Sequence, residues 1–183
     1  LIKSDNTFIF KKNGDIDTQR SNSFCYKEKN LEAYAQYTYT WDKLELSAGL
    51  RMEYMYTYNK LNSQTSQDAE TNSQNHFRLF PNLSASYTIN DKNKIALLYS
   101  RRQDKPRYED LNPFEYLLDE LSYWKGNPFL KPQVSNKIML SYTWSNLSLN
   151  LYYNKLDDYF TSLTDVYGNN KTIMTTKNIG TQQ

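Results

Sequence analysis

Apolar and polar residues alternate with a period of two along most of this chain. In LEAYAQYTYTW (residues 31–41) one face carries Leu31, Ala33, Ala35, Tyr37, Tyr39 and Trp41, and the other Glu32, Tyr34, Gln36, Thr38 and Thr40. After Asp42 and Lys43 comes LELSAGLRMEYMYTYN (44–59). There Leu44, Leu46, Ala48, Leu50, Met52, Tyr54, Tyr56 and Tyr58 oppose Glu45, Ser47, Gly49, Arg51, Glu53 and Thr57. The pattern returns at Leu83-Ala85-Tyr87-Ile89, at Ile95-Leu97-Tyr99, over 134–144, and at Leu147-Leu149-Leu151-Tyr153. Side chains of an extended strand point alternately to opposite faces, so this alternation predicts strands with one apolar face. About seven strands are expected, the last over residues 172–180.

The connections alternate between short and long. Asp42-Lys43, residues 90–93 and Ser145-Asn146 are tight turns, whereas 59–75, 103–132 and roughly 161–171 are long and polar. This rhythm predicts an all-β, antiparallel transmembrane β-barrel segment with tight periplasmic turns and long extracellular loops. The aromatics agree. Tyr39, Trp41, Tyr87, Tyr142 and Trp144 fall at one end of the apolar face, and Tyr54, Tyr56, Tyr58, Tyr99 and Tyr153 near the other, as two interfacial girdles would. A water-soluble antiparallel sandwich also alternates. It would have strands of roughly 5–6 residues and no aromatics collected at strand ends, so the barrel is the better fit.

Composition sharpens this. Only 38 % of residues are hydrophobic, yet 15 % are aromatic, with 17 tyrosines. Mean hydropathy is -0.85. Few aliphatics with many amphipathic rings suit a surface that is apolar on one side and wet on the other. The net charge of +2 gives no electrostatic case for nucleic acid. No apolar run approaches the roughly 18 residues of a membrane helix. The chain starts at Leu1 in mid-pattern, and both ends are expected to be cuts in a larger barrel, with residues 1–183 one partial barrel domain and any plug domain outside them.

Candidate chemistry is sparse. Cys25 and His76 are the only cysteine and histidine, so neither a disulfide framework nor a usual zinc set is available. His76, in SQNHFRLF, has no nucleophile motif beside it and is expected to be exposed or satisfied. NGDIDTQ (13–19) opens like a calcium loop with Asn13, Asp15 and Asp17, but lacks the glycine and glutamate that such a loop requires. No catalytic residue, cofactor or metal ligand is expected. Arg51 and Glu53 fall on the polar face, toward the lumen. They would touch a plug or a passing ligand, or form an ion pair with neighbours such as Glu32 or Glu45. Arg101, Arg102, Lys105 and Arg107 cluster where a strand leaves the outer interface. They would bind an anionic ligand or lipopolysaccharide, or form a solvated loop base near Asp104, Glu109 and Asp110.

The loop itself carries an apolar load. Asn112-Pro113 reads as a helix start, with Phe114, Leu117, Leu118 and Leu121 on one face and Gly126-Asn127-Pro128 as the stop. Tyr108, Phe114, Tyr116, Tyr123, Trp124 and Phe129 would stack on a sugar or aromatic ligand, or form the loop's own small core. The candidate ligand-binding residues are therefore Arg101, Arg102, Arg107, Tyr108, Tyr123 and Trp124.

YSRRQDKPRYEDLNPFEYLLDELSYWKGNPFLKPQ (99–133), with its Y-S-R-R, P-R-Y-E-D-L-N-P-F and G-N-P-F-L-K-P strings, resembles the outer-membrane β-barrels of TonB-dependent receptors found in Bacteroidota. The F-x-Y-K-E at Phe24 and AGLRMEY at 48–54 are similar to that family too. The resemblance implies a wall of about 22 strands around a plug. It also implies uptake of a small ligand (siderophore, glycan or peptide) across the outer membrane of a Gram-negative bacterium. The implied partners are outer-membrane lipid and a TonB complex, the latter reached through segments outside this chain. An outer-membrane binding or adhesion protein displaying its loops is the alternative, and an outer-membrane hydrolase a more distant one.

Overall fold

A computed structural model of the chain describes residues 1–9, 11–16, 21–63, 71–167 and 171–183. Along the chain lie β1 (Ile2–Phe8), β2 (Lys11–Lys12), β3 (Asp15–Ile16), β4 (Asn22–Trp41), β5 (Leu44–Ser63), β6 (Thr71–Asn90) and β7 (Asn93–Asp104). They are followed by α1 (Tyr108–Leu111), β8 (Glu115–Leu117), β9 (Ser122–Lys125), β10 (Gln133–Trp144), β11 (Leu147–Tyr167) and β12 (Lys171–Gln182). Ten of these strands make one open sheet in the order β1-β4-β5-β6-β7-β10-β11-β12-β9-β8. Pairing is antiparallel except where β9 runs parallel to β12. The count exceeds the expected seven because β1 adds a wall strand and the long loop contributes β8 and β9.

Register turns the alternation into continuous rows. Tyr39, Leu46, Ala85, Leu97, Leu140 and Leu151 are successive cross-strand partners from β4 to β11. Trp41, Leu44, Tyr87, Ile95, Tyr142 and Leu149 form the next row toward the tight turns. This outer face is exposed, with Trp41 at 69 %, Leu97 at 51 % and Leu149 at 57 %. An apolar belt this continuous, edged by Trp and Tyr, needs hydrocarbon rather than water as its solvent. The aromatics at the far end, Tyr54 on β5 and Tyr99 on β7, lie in different rows, the stagger that tilted strands require. On the inner face the corresponding rows are polar, such as Thr40, Glu45, Ser86, Ala96, Ser141 and Asn150.

The tight turns lie side by side at one end. Asp42 and Ser145 open two-residue turns with φ of 50° and 52°, the left-handed conformation that short polar residues tolerate and that matches strand twist. Thr88 N donates to Lys43 O at 2.9 Å and Ser145 N to Lys92 O at 2.6 Å, which links neighbouring turns into a rim.

At the opposite end the strands outrun the expected ones. Much of the expected loops 59–75 and 161–171 is strand, since β5 continues to Ser63, β6 begins at Thr71 and β11 runs to Tyr167. There the strands are largely polar, with only Leu61, Leu163 and Val166 apolar, and no alternation marks them. Residues 64–70 and 168–170, and Asp17 of the calcium-like stretch, fall outside the described residues. Asn13 and Gly14 of that stretch form the turn between β2 and β3.

The third loop, residues 105–132, is ordered and folds onto the inner face. Its helix lies before Asn112, not after it. Asp110 accepts from Arg107 N at 3.3 Å at the start of α1, and Asn112 is extended (φ -78°, ψ 112°) because Pro113 disfavours a helical residue ahead of it. Where a helix was expected after Pro113, β8 and β9 form a hairpin whose second strand, β9, adds to β12. Leu111, Phe114 and Leu130 of the loop are buried against Phe24 and Tyr26 of β4, with Leu61 and Phe160 beside them. Phe24 and Phe114 meet edge to face at 6.4 Å. Burying each such side chain contributes about 1.5–3 kcal/mol, so the loop is fastened by a small core of its own.

Candidate functional site

Below that core, parity places Glu28 of β4, Glu53 of β5 and Arg78 of β6 on the inner face. Glu28 and Glu53 are 4 % and 2 % exposed, so their charges need partners. Lys105, the first residue after β7, supplies one: its Nζ lies 2.9 Å from Glu28 Oε1 and 3.1 Å from Glu53 Oε1. Tyr26 donates its hydroxyl to Glu28 Oε2 at 2.8 Å, and Gln103 Nε2 donates to Glu53 Oε1 at 2.6 Å. Arg78 Nη1 donates to Gln103 Oε1 at 3.1 Å and to Pro132 O at 3.2 Å. Both ends of the loop are thereby tied to one buried polar cluster. Burial works against the Lys105 charge, but its hydrogen bonds to both carboxylates and their charges prevail and raise its pKa above the ordinary value.

Gln103 reaches β5 although β6 lies between. Pairing of β6 with β7 ends at Asn82 and Ser100, while β7 stays paired with β10 to Asp104. Beyond Ser100, β7 therefore leans over the inner face of β6. The split opens a cleft of about 250 Å³ lined by Tyr34, Arg51, Phe80, Asn82, Ser100 and residues 101–104.

The residues expected to serve a ligand separate into groups. Arg51 pairs with Glu32 at 3.3 Å and approaches Glu53 at 3.6 Å, its guanidinium 4.6 Å above the Phe80 ring. Arg101 and Arg102 line the cleft. Arg107 pairs with Asp110 at 3.2 Å, which raises its pKa. Tyr108 packs on Tyr26 with ring centres 5.1 Å apart, and its pKa rises through burial and the nearby Glu28. Tyr123 and Trp124 are on β9, away from the cleft, with Lys171 5.3 Å over the Tyr123 ring. Of the six loop candidates, only Arg101 and Arg102 share a cavity. Sequence reasoning did not single out Glu28, Gln103 or Arg78. Parity alone would have put Glu28 and Arg78 on the inner face, but their partners are distant in sequence.

His76 is half-buried with Gln74 Oε1 3.1 Å from its Nε2, and among the described residues no nucleophile joins them. Among the described residues no group of three His, Cys, Asp or Glu side chains could hold a metal ion. The arrangement offers charged and polar groups for binding, with a docked loop beside them.

Comparison with known proteins follows the same lines. The model of the outer membrane protein beta-barrel family matches residues 1–183. The ferric yersiniabactin uptake receptor FyuA from Yersinia pestis has a similar structure, with a TM-score of 0.57 at 13 % identity over 86 % of this chain and 24 % of that one. The siderophore receptor PirA from Pseudomonas aeruginosa gives a TM-score of 0.50 at 13 % identity, over 89 % of this chain and 42 % of its own. The chain spans less than half the length of either receptor. A comparison with curated proteins gives no match.

Proposed function

We propose, from the premise that this chain belongs to the outer membrane protein beta-barrel family and lies in the outer membrane of a Gram-negative cell, that it forms wall and mouth of a TonB-dependent receptor. In this reading the receptor, of the Bacteroidota type that the 99–133 string resembles, captures a small ligand and admits it to the lumen. A plug and a TonB complex act through other parts of the protein.

The observation that carries this reading is the direction of the loop. A displayed adhesion loop would project from the rim, whereas residues 105–132 turn inward, burying Leu111, Phe114 and Leu130 on the polar face. A loop so placed covers the pathway and meets whatever enters it. The chemistry is that of binding rather than bond cleavage, and the reading is of a transporter, not an enzyme. The two similar structures are siderophore receptors, which keeps a siderophore beside glycan and peptide among the candidate ligands.

The test replaces residues 105–132 of the full-length receptor with a short Gly/Ser turn. Insertion into the outer membrane should persist, because the rows from β4 to β11 do not involve the loop, while uptake of the cognate ligand should fall sharply. Normal uptake by a correctly inserted variant overturns the proposal.

A further inference from the structure

The cleft where β7 parts from β6 carries a surplus of positive charge, lined by Arg51, Arg101 and Arg102 against the single carboxylate of Asp104. Arg101 and Arg102 are in no ion pair among the described residues. Arg101 Nε is buried and has no hydrogen-bond partner. A buried donor without an acceptor is costly, and an incoming oxygen would recover that cost. Arg51 of β5 lines the cleft too, its guanidinium 4.6 Å over the Phe80 ring. Asn82 and Ser100, paired across the end of the β6–β7 ladder, line the cleft with neutral polar groups. One carboxylate, Asp104, also lines it, and its Oδ2 already accepts from Gln133 Nε2 at 3.2 Å. Glu32 and Glu53 offset Arg51, and neither lines the cleft.

We infer that this cleft is a binding site for an anionic group, a carboxylate or a phosphate, on a small ligand passing the inner wall. Guanidinium forks match the paired oxygens of these groups, which a lysine ammonium does not. The cleft volume admits a headgroup and not a whole macromolecule. Arg102 is exposed, and Arg101, whose Nε is buried without an acceptor, lines the same cleft. Gln103 belongs both to the cleft and to the cluster that holds Lys105, so a bound anion would add its charge beside the loop anchor. This inference rests on the receptor reading and names the chemical class of its ligand.

The experiment is calorimetric titration of the purified full-length receptor in detergent with citrate and, separately, inorganic phosphate, at low and high ionic strength. Binding of at least one anion is expected, weaker at high salt. Arg101→Gln and Arg102→Gln should each weaken it about tenfold or more, since each removes charge-assisted bonds. Arg101→Lys should retain part of it, and Lys125→Gln, on the β8–β9 hairpin, should leave it unchanged. Heat-modified mobility on gels confirms that each variant is folded. Absence of anion binding by the intact receptor, or equal weakening by Lys125→Gln, overturns the site. Uptake by cells tests the receptor reading separately, so either can fail while the other stands.

Discussion

Lys105 at the foot of the long loop reaches Glu53 of β5, at 3.1 Å, across the whole width of β6. It does so because β7 leaves its ladder at Ser100 and leans inward, carrying the start of the loop over the inner face. The contact joins residues that lie far apart in sequence, and it decides where the loop begins its descent.

Removing the lysine should therefore free the loop rather than the wall. In Lys105→Met the nearly buried Glu28 loses its cation and Glu53 keeps only Arg51, at 3.6 Å. We expect a loss of about 1–3 kcal/mol in loop docking, with no loss of strand pairing. Adding Glu28→Gln and Glu53→Gln to Lys105→Met should restore much of it, because the uncompensated charges are then gone. Hydrogen exchange of residues 105–132 in the full-length receptor reads the docking. Strictly additive effects of the three changes would refute the coupling.

The same contact sets a pH response. The free lysine titrates near its ordinary value of 10.5, and the docked one above it. A raised pKa stabilises the docked state fully below the ordinary value, and that contribution disappears as pH climbs through the elevated one. The loop should stay docked from neutral to moderately alkaline pH and loosen only in strong alkali. A spin label at Lys125→Cys, in a Cys25→Ser background, should gain mobility there. It should show no such transition in Lys105→Arg, whose charge persists.

Much of the wall was legible because lipid and lumen impose opposite demands on alternate residues. Leu46, Ala85, Leu97 and Leu140 were assigned to one face by parity alone, and the sheet places all four in one row. Beyond the membrane belt that demand lapses. Thr71 to Asn75 of β6 are polar on both faces, and β1 is short and mostly polar, so neither registered as strand. The helix was misplaced for a local reason. Asn112-Pro113 satisfies the pattern for a helix start, but a proline equally bars helix from the residue before it, and here Asn112 ends α1. At the site, Arg51 and Glu53 were found by parity. Glu28, Gln103 and the lean of β7 depend on partners that no local pattern encodes.

The two faces should differ in their tolerance of charge. Leu50 lies on the outer face between Ala35 and Pro81, midway between the Trp41 row and Tyr54, whereas Ser47 is on the inner face beside Thr38 and Ser84. Leu50→Arg in the full-length protein should cost about 2–4 kcal/mol if it lies near the midplane, and Ser47→Arg much less. Denaturant titration of the protein refolded into lipid vesicles measures both. Equal costs would contradict the assignment of faces.

Gly126 tests the loop core most sharply. It follows β9 where the chain crosses the end of α1, and a Cβ added there would collide with Asn112 O and lie 2.8 Å from Asp110 O. These are backbone atoms, and neither can swing aside as a side chain could. The same crossing carries the bond from Asn127 N to Asp110 O at 2.6 Å and that from Asn127 Nδ2 to Thr176 O at 3.2 Å, which tie the loop to itself and to β12. Gly126→Ala must therefore push α1 and the end of β9 apart, breaking the first bond and shifting Leu111 and Leu130 out of their packing. Overpacking of this kind typically costs about 1–3 kcal/mol, and here it falls on the loop alone. The variant should insert normally and keep its strand content by circular dichroism, yet residues 105–132 should become sensitive to limited proteolysis. If the inward fold of the loop is what serves the ligand, uptake should fall together with that protection. A Gly126→Ala receptor whose loop resists protease as the parent does would show that the crossing is looser than these distances require.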